Sequence, residues 1–467
     1  MAGGAIIGHG DPIAPVILGV TTILAFAIIG RVAARKLKQP TVLGELLMGI
    51  LLGNLAWYLK VDLFILLREG PRVFELVQHT LAGASIDTVA VTLFGQDTGP
   101  EIARIITGPH GGEVMQVAHA VDIFSRYGVI FMLFMVGLQT NLEQMRRVGA
   151  DSARVALIGV ALPLALGFAA VWMLRPALPF SSIIFVAATL GATSLGITAR
   201  VLEELDYSTS REGRIILGAA VYDDILGLII LAVVSGIVLS GSVDVSEIVK
   251  VILISSLFLA AAIVFGPAIV RFSAYVMKRL DLVEAKMFTS YLFVMVLAWM
   301  ANLAGLATII GAFAAGVVLS DSFFEKRNHS DRRRVVTIRE LIMPLEVILV
   351  PIFFILIGMQ VKVETFMSAP VATLAAGLLV AAVIGKLASG LGARRPVSKL
   401  IVGIGMTPRG EVGLVFAAIG RTLGVIDDSM FAALVLMIIV TTLGAPAWLK
   451  ISITRQARAR RARRAGG

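Results

Sequence analysis

The chain has 467 residues, of which 58% are hydrophobic and only 15% charged, with a mean hydropathy of +0.92. That balance excludes a soluble globular domain and identifies a polytopic membrane protein. The net charge is +10 and there is no cysteine, which excludes disulfides, iron–sulfur clusters and thiolate metal sites.

A spanning helix needs roughly 20 apolar residues at about 1.5 Å rise each. By that measure the sequence predicts thirteen spans, at 13–30, 41–59, 121–139, 153–174, 181–200, 213–239, 247–270, 286–303, 306–320, 340–360, 368–392, 398–420 and 429–449. The opening "MAGGAIIGHGDP" lacks a basic n-region, so no cleaved signal peptide is expected. In the third window the uninterrupted apolar part, Val129 to Leu138, is short. The second and third windows are separated by an insertion over residues 60–120, whose runs "VDLFILL" and "DTVAVTLF" are too brief to span. These runs read as amphipathic segments on the outer leaflet or as a small cap. His9, His79, His110, His119 and His329 all lie outside the spans, which argues against a histidine proton relay.

Lysine and arginine accumulate on the cytoplasmic side of short loops. With the N-terminus outside and the C-terminus inside, 30 of the 41 basic residues fall in the cytoplasmic segments and nine in the outer ones. The other two, Lys386 and Arg409, lie within spans. The positive charge is therefore a topology signal, and no nucleic-acid partner is expected. The tail "RQARARRARRAGG" reads chiefly as positive-inside retention, with contact to anionic lipid as a lesser role.

Polar residues inside spans are expensive and are functional candidates by default, at about 2.5–3.5 kcal/mol each on insertion scales. Here they are Glu45, Asp223, Asp224, Glu346, Lys386, Arg409 and Glu411. Counting helical rise from the flanking basic residues places Asp223 about 13 Å from Arg214, Lys386 about 12 Å from Arg394 and Glu411 about 18 Å from Lys399. Thr193 and Ser194 come about 10 Å from Arg200. In a hydrocarbon layer about 30 Å thick, all of these approach the midplane.

Two spans look interrupted. "LGATSLGITAR" (190–200) holds two glycines and three hydroxyl residues, and "GIGMTPRGEVGL" (403–414) holds Pro408 and Gly410 beside Arg409 and Glu411. Folding spans 1–6 onto 8–13 as an inverted repeat makes the fifth span correspond to the twelfth. Corresponding interrupted helices mark a transporter's binding site.

The stretches "QPTVLGELLMGILLGN", "GATSLGITARVLEEL", "GAAVYDDILGL", "GAFAAGVVLSD", "PIFFILIGMQV" and "GMTPRGEVGLVFAAIG" occur in this order between about Pro15 and Trp448. Together they resemble the monovalent cation:proton antiporter-2 family of bacterial sodium/proton exchangers. The 60–120 insertion departs from that family's compact second-to-third connection. The nucleotide-gated potassium efflux branch is a poor match, because no Gly-rich Rossmann-like segment follows the thirteenth span.

The resemblance implies an all-α membrane protein of about thirteen helices, an inverted repeat with two crossing broken helices and an elevator-like mechanism. It implies scaffold and dimerisation helices in 1–140, core transport helices in 141–240, linker and scaffold helices in 241–365, further core helices in 366–450 and a basic cytoplasmic tail in 451–467. Asp224 takes the ion-ligating position and Asp223 the lysine-paired one, with Lys386 as the membrane lysine. Thr193 and Ser194 sit at the first crossover, where hydroxyl and backbone oxygens help coordinate the cation, and Arg409 and Glu411 occupy the second as charge-compensating groups. A homodimer in the cytoplasmic membrane is the expected assembly.

The residue chemistry points the same way. Adjacent helical residues project about 100° apart, so Asp223 and Asp224 take different roles. A hard monovalent cation wants oxygen ligands, and carboxylate, hydroxyl and unwound carbonyl oxygens are what this depth offers. A buried carboxyl that holds either a proton or a cation is sufficient for exchange. The expected function is secondary active antiport of sodium or lithium against protons, electrogenic, with no cofactor and no enzymatic activity. Potassium/proton exchange and, less so, a sodium-coupled organic solute carrier are the alternatives the residues leave. A channel is disfavoured because no repeated filter signature is present, and an ATP-driven pump because no Walker loop is visible.

Overall fold

Long apolar runs with no water to satisfy their backbone must form helices, and the computed structural model is helical throughout, with no strand among the described residues. The structure describes residues 11, 13–140, 142–240, 245–325, 336–394 and 396–465. His9, His329 and the basic loop 326–335 lie outside the described residues, as do the side chains of most tail arginines.

The helices run α1 (Ala14–Lys36), α2 (Thr41–Leu59), α3 (Asp62–Glu69), α4 (Arg72–Leu81), α5 (Ile86–Thr107), α6 (Gly111–Gln139), α7 (Leu142–Leu174), α8 (Phe180–Thr189), α9 (Leu195–Glu204) and α10 (Arg211–Ser240). There follow α11 (Val245–Val276), α12 (Leu282–Leu303), α13 (Thr308–Val318), α14 (Ser322–Glu325), α15 (Ile338–Met359), α16 (Ala369–Ser389), α17 (Lys399–Gly405), α18 (Glu411–Thr422) and α19 (Asp428–Ala465). Ten of these are long and apolar enough to cross a membrane. The remaining three expected windows fall on α8 with α9, on the short α13, and on α17 with α18. The third window differs from expectation: its helix starts at Gly111, so the last residues of the insertion form the first turns of α6. Polar residues such as Glu113, His119 and Asp122 hide that start from an apolar-run reading.

The chain divides into two compact units. The first comprises the described residues of Met1–Gly128 with Ile348–Lys362. Its helices meet at glycines: a Cβ on Gly44 would fall on the Gly30 carbonyl, and one on Gly49 on the Ile355 carbonyl. Such close backbone approach is how helices associate where lipid removes the usual hydrophobic drive. Ile23, Ala27, Leu52, Val121, Ile352 and Met359 form the core. Glu45 is buried on α2 and accepts from Arg31 Nε at 2.7 Å, which makes it a paired structural charge.

The insertion builds its own small core from Ile65, Leu66, Val73, Leu76, Ala90, Ile102 and Ile105. "VDLFILL" lies on α3, and "DTVAVTLF" on the first half of α5, which breaks at Gly95 where φ is 83°. At its surface Arg104 bridges Asp62 at 2.9 Å and Glu101 at 3.0 Å, and the hydrogen bond from Arg104 holds the Glu101 carboxyl below its usual range. The insertion's histidines lie apart. His79 is beside Glu75 and His110 beside Glu113, whereas His119 stands edge-on to Phe74.

The second unit comprises the described residues of Val129–Val347 with Val363–Gly467. In it α16 packs along α7 and α19, and α10 lies against α7. A Cβ on Gly385 would fall on Pro163, so α16 and α7 touch at backbone distance. Val155, Ala156, Leu202, Ile216, Val402, Ile404, Leu449 and Ile453 form one core cluster.

Candidate ion-binding site

Residues 190–194 and 406–410 leave the helical conformation in the middle of an apolar stretch. Pro408 has no N–H for a helical bond, and Gly410 is extended at φ −160°. An unwound segment exposes backbone donors and acceptors that must find partners away from water. Here the two segments satisfy each other. Ser194 N donates to the Pro408 carbonyl at 2.9 Å, and Thr193 Oγ1 to the Met406 carbonyl at 3.3 Å. Thr198 Oγ1 donates to the Gly405 carbonyl at 2.7 Å, and Arg409 Nη1 to the Ala192 carbonyl. Thr442 Oγ1 of α19 donates to the Arg409 carbonyl.

The half-helix ends carry opposite partial charges, positive at the starts of α9 and α18, negative at the ends of α8 and α17. Glu411 opens α18, where the dipole favours a carboxylate, and Ser194 Oγ donates to its Oε2 at 3.0 Å. Arg409 places its cation against a carbonyl just beyond the end of α8, the complementary arrangement. Arg409 is fully buried, and its Nε and Nη2 have no hydrogen-bond partner among the described residues.

On α10, Asp223 is sealed by Lys386, whose Nζ donates to Oδ1 at 3.0 Å and Oδ2 at 3.2 Å. Both side chains have zero exposure, so the lysine does not snorkel toward an aqueous surface. Gly159 on α7 lies beside it: an added Cβ would stand 3.6 Å from Nζ, an ordinary contact, and 3.1 Å from the Ser389 Cβ. Asp224 retains 8% exposure against 1% for Asp223, and makes no ion pair among the described residues. The two carboxylates thus occupy different surroundings, one neutralised by a buried lysine, the other buried with no ion pair among the described residues.

The structure therefore brings Asp223 and Lys386 into direct contact, and joins Thr193, Ser194, Arg409 and Glu411 across the crossover. Glu45 and the half-buried Glu346 sit on α2 and α15, outside these contacts. Thr198, the Ala192 carbonyl and Gly159 belong to the arrangement and escaped the sequence reading. Thr198 lies four residues after Ser194, one helical turn on, which was the available signal.

Residues 98–454 match the family model described as "Sodium/hydrogen exchanger, transmembrane". The chain belongs to the sodium/hydrogen exchanger family. Among curated relatives of this family member, the high-affinity Na(+)/H(+) antiporter NhaS3 of Synechocystis is 35% identical over 94% of this chain and 90% of its own length. The Na(+)/H(+)-K(+) antiporter GerN of Bacillus cereus is 32% identical over 75% of this chain and 88% of its own. The solved structure of the sodium proton antiporter MjNhaP1 from Methanocaldococcus jannaschii at pH 8 shares the fold. Its TM-score is 0.61 at 16% identity, over 94% of this chain and 98% of that one.

Proposed function

We propose that this chain is a secondary antiporter that exchanges sodium or lithium for protons, with Asp224 as the group that carries one or the other. The observation that supports it is the asymmetry of the aspartate pair at the crossover: Lys386 neutralises Asp223, while Asp224 is left without an ion pair among the described residues. An ionised, empty carboxyl is too costly to carry through an apolar phase. A bound proton or a bound cation removes that cost, so only loaded states cross. The two ligands compete for one oxygen site, and each displaces the other on the side where it is abundant.

In this reading Thr193 and Ser194 supply neutral oxygens to the cation that Asp224 binds, and Glu411 and Arg409 balance the half-helix ends. In this reading the protein has thirteen spans in two inverted repeats, with the N-terminus outside and the basic tail in the cytoplasm. The helices of 141–240 and 366–450 form the moving core, those of 1–140 and 241–365 the scaffold and linker, and two copies pair in the cytoplasmic membrane. Potassium belongs in the test because the relative GerN is named for it as well. A sodium-coupled organic carrier fits less well, since it has no need of a lysine-paired aspartate beside the ion ligand.

The direct test is collapse of a respiration-driven proton gradient in everted vesicles on adding sodium, lithium, potassium or choline chloride in turn. Sodium and lithium are expected to collapse it and choline to leave it intact; indifference to all three metal salts overturns the proposal. Thr193→Ala is expected to raise the half-saturating cation concentration about 3- to 10-fold, the worth of one neutral polar contact, with little change in maximal rate. A cation titration at fixed pH reads this, and a rate loss at unchanged affinity would move Thr193 from the ion to crossover packing.

A further inference from the structure

The Lys386 ammonium has three N–H donors, and Asp223 takes two of them, at 3.0 Å and 3.2 Å. The third has no acceptor among the described residues, although the side chain is wholly buried. Beside it on α7 an acceptor stands unused as well. The interior of α7 carries Pro163. Proline has no N–H, so the carbonyl one turn earlier loses its helical donor. That carbonyl belongs to Gly159, whose added Cβ would stand 3.6 Å from Lys386 Nζ and 3.8 Å from its Cδ. The gap in the hydrogen-bond ladder faces the lysine's own helix, because a Cβ on Gly385 would lie 2.8 Å from the Pro163 nitrogen itself. Residues 159 and 163 share one face of α7, and Gly385 and Lys386 adjoin on α16, all within the second unit.

Prolines are tolerated in membrane helices where neighbouring groups take over the freed carbonyl. Here no side chain among the described residues donates to Gly159. The Ser389 Cβ comes within 3.1 Å of an added Gly159 Cβ, but the serine hydroxyl is spent on the Lys386 carbonyl at 2.6 Å. That leaves the third lysine N–H as the donor at hand.

We propose that the Gly159 carbonyl, freed by Pro163, is a second station for the Lys386 nitrogen, taken up when a cation engages Asp223 and Asp224. Pro163 is the positioning residue of that station. In the structure the nitrogen is on Asp223, and a flexible four-carbon stem lets Nζ turn from α10 toward α7 without moving either helix. On the carbonyl it no longer contests the carboxylate oxygens with the cation. The carbonyl accepts from the ammonium or from the amine left after proton release, so the station serves in either case. It rests on the antiport reading above, since it has a role only where a cation displaces the lysine.

The test separates the missing N–H from the proline ring. Pro163→Ala restores the N–H and closes the Gly159 carbonyl into the helix. Lactic acid placed at 163 by nonsense suppression has the same methyl side chain but an ester oxygen instead of N–H, and leaves the carbonyl free. Valine and 2-hydroxyisovaleric acid at 163 form a second such pair, which fills more of the ring's space against Gly385. In proteoliposomes the half-saturating sodium concentration is expected to rise roughly 10-fold in the N–H variants, the worth of one hydrogen bond from a charged group, and to stay within about twofold of wild type in the ester variants. Maximal rate is expected to change little in either. The sodium concentration that gives half of the thermal stabilisation in detergent should move in the same way, and it reads binding without transport. Equal half-saturation within each pair, whether at the wild-type value or raised, overturns the station, because the members of a pair differ at the N–H. A wild-type protein that sodium neither stabilises nor drives removes the antiport reading, and the station with it.

Discussion

Asp224→Asn is expected to reduce cation-dependent proton movement to the level of vesicles without the protein, while the protein remains folded and membrane-inserted. Asparagine keeps the shape of aspartate and loses both things the site needs, a negative charge for the cation and an oxygen that takes up a proton. The fold should persist because Asp224 makes no ion pair among the described residues, so the change orphans no partner. Asp223→Asn is a poorer test for this reason. It would leave the Lys386 ammonium buried without its carboxylate, and breaking a buried pair costs about 3–5 kcal/mol, enough to confuse a folding defect with lost transport. Size exclusion in detergent and a thermal shift check the fold of the variant, and fluorescence dequenching on sodium addition reads the transport. Near-wild-type dequenching would remove Asp224 from the ion site.

Much of the architecture could be read because the membrane simplifies the problem. A fixed apolar thickness turns residue counts into depth, and counting along two helices put Asp223 and Lys386 at one level before any contact was known; they lie 3.0 Å apart. The interruptions were legible because Gly191, Pro408 and Gly410 stand where an uninterrupted helix would avoid them. Depth carries no azimuth, however. That Thr198 would meet the Gly405 carbonyl and Arg409 the Ala192 carbonyl depends on how two unwound segments cross, and no periodicity reports that. Gly159 was invisible for a related reason, being one glycine among the 46 of the chain until a lysine from another helix lies beside it.

The insertion was the least legible part. Arg68 and Glu69 follow the apolar run of α3 in sequence and would ordinarily be taken for its solvated end, since charges next to each other at a helix terminus usually face water. Their burial follows from Asn54 and Lys362, which come from distant parts of the sequence and meet only when α2 and α15 pack through Gly49, Gly53 and Gly358. A sequence reading sees each glycine as permissive and none as the reason that a remote ion pair can form.

Lys386→Gln is expected to abolish the electrogenic component of exchange. In the empty carrier the Lys386–Asp223 pair is neutral as a unit and wholly enclosed. A cation that engages the aspartates takes over part of the carboxylate charge on which the ammonium depends, and an ammonium left buried without a counter-charge is the costly state. Release of a proton from the lysine removes that buried ammonium and leaves one cation shared by two carboxylates beside a neutral amine, one charge more negative than the proton-loaded site. Together with the proton displaced from Asp224, that would make two protons for one monovalent cation, so each cycle is expected to move one net charge. Glutamine fills similar space and hydrogen-bonds to Asp223, but it has no proton to release. The variant should therefore be inactive or exchange one proton per cation without net charge. Proteoliposomes adsorbed on a solid-supported membrane distinguish these outcomes from the wild type, since a sodium jump should give a transient current in the wild type and none in the variant. A parallel pH-dye signal tells silent exchange from no exchange. A current of undiminished size in Lys386→Gln would assign the lysine to holding α16 against α10 and would require another source for the second proton.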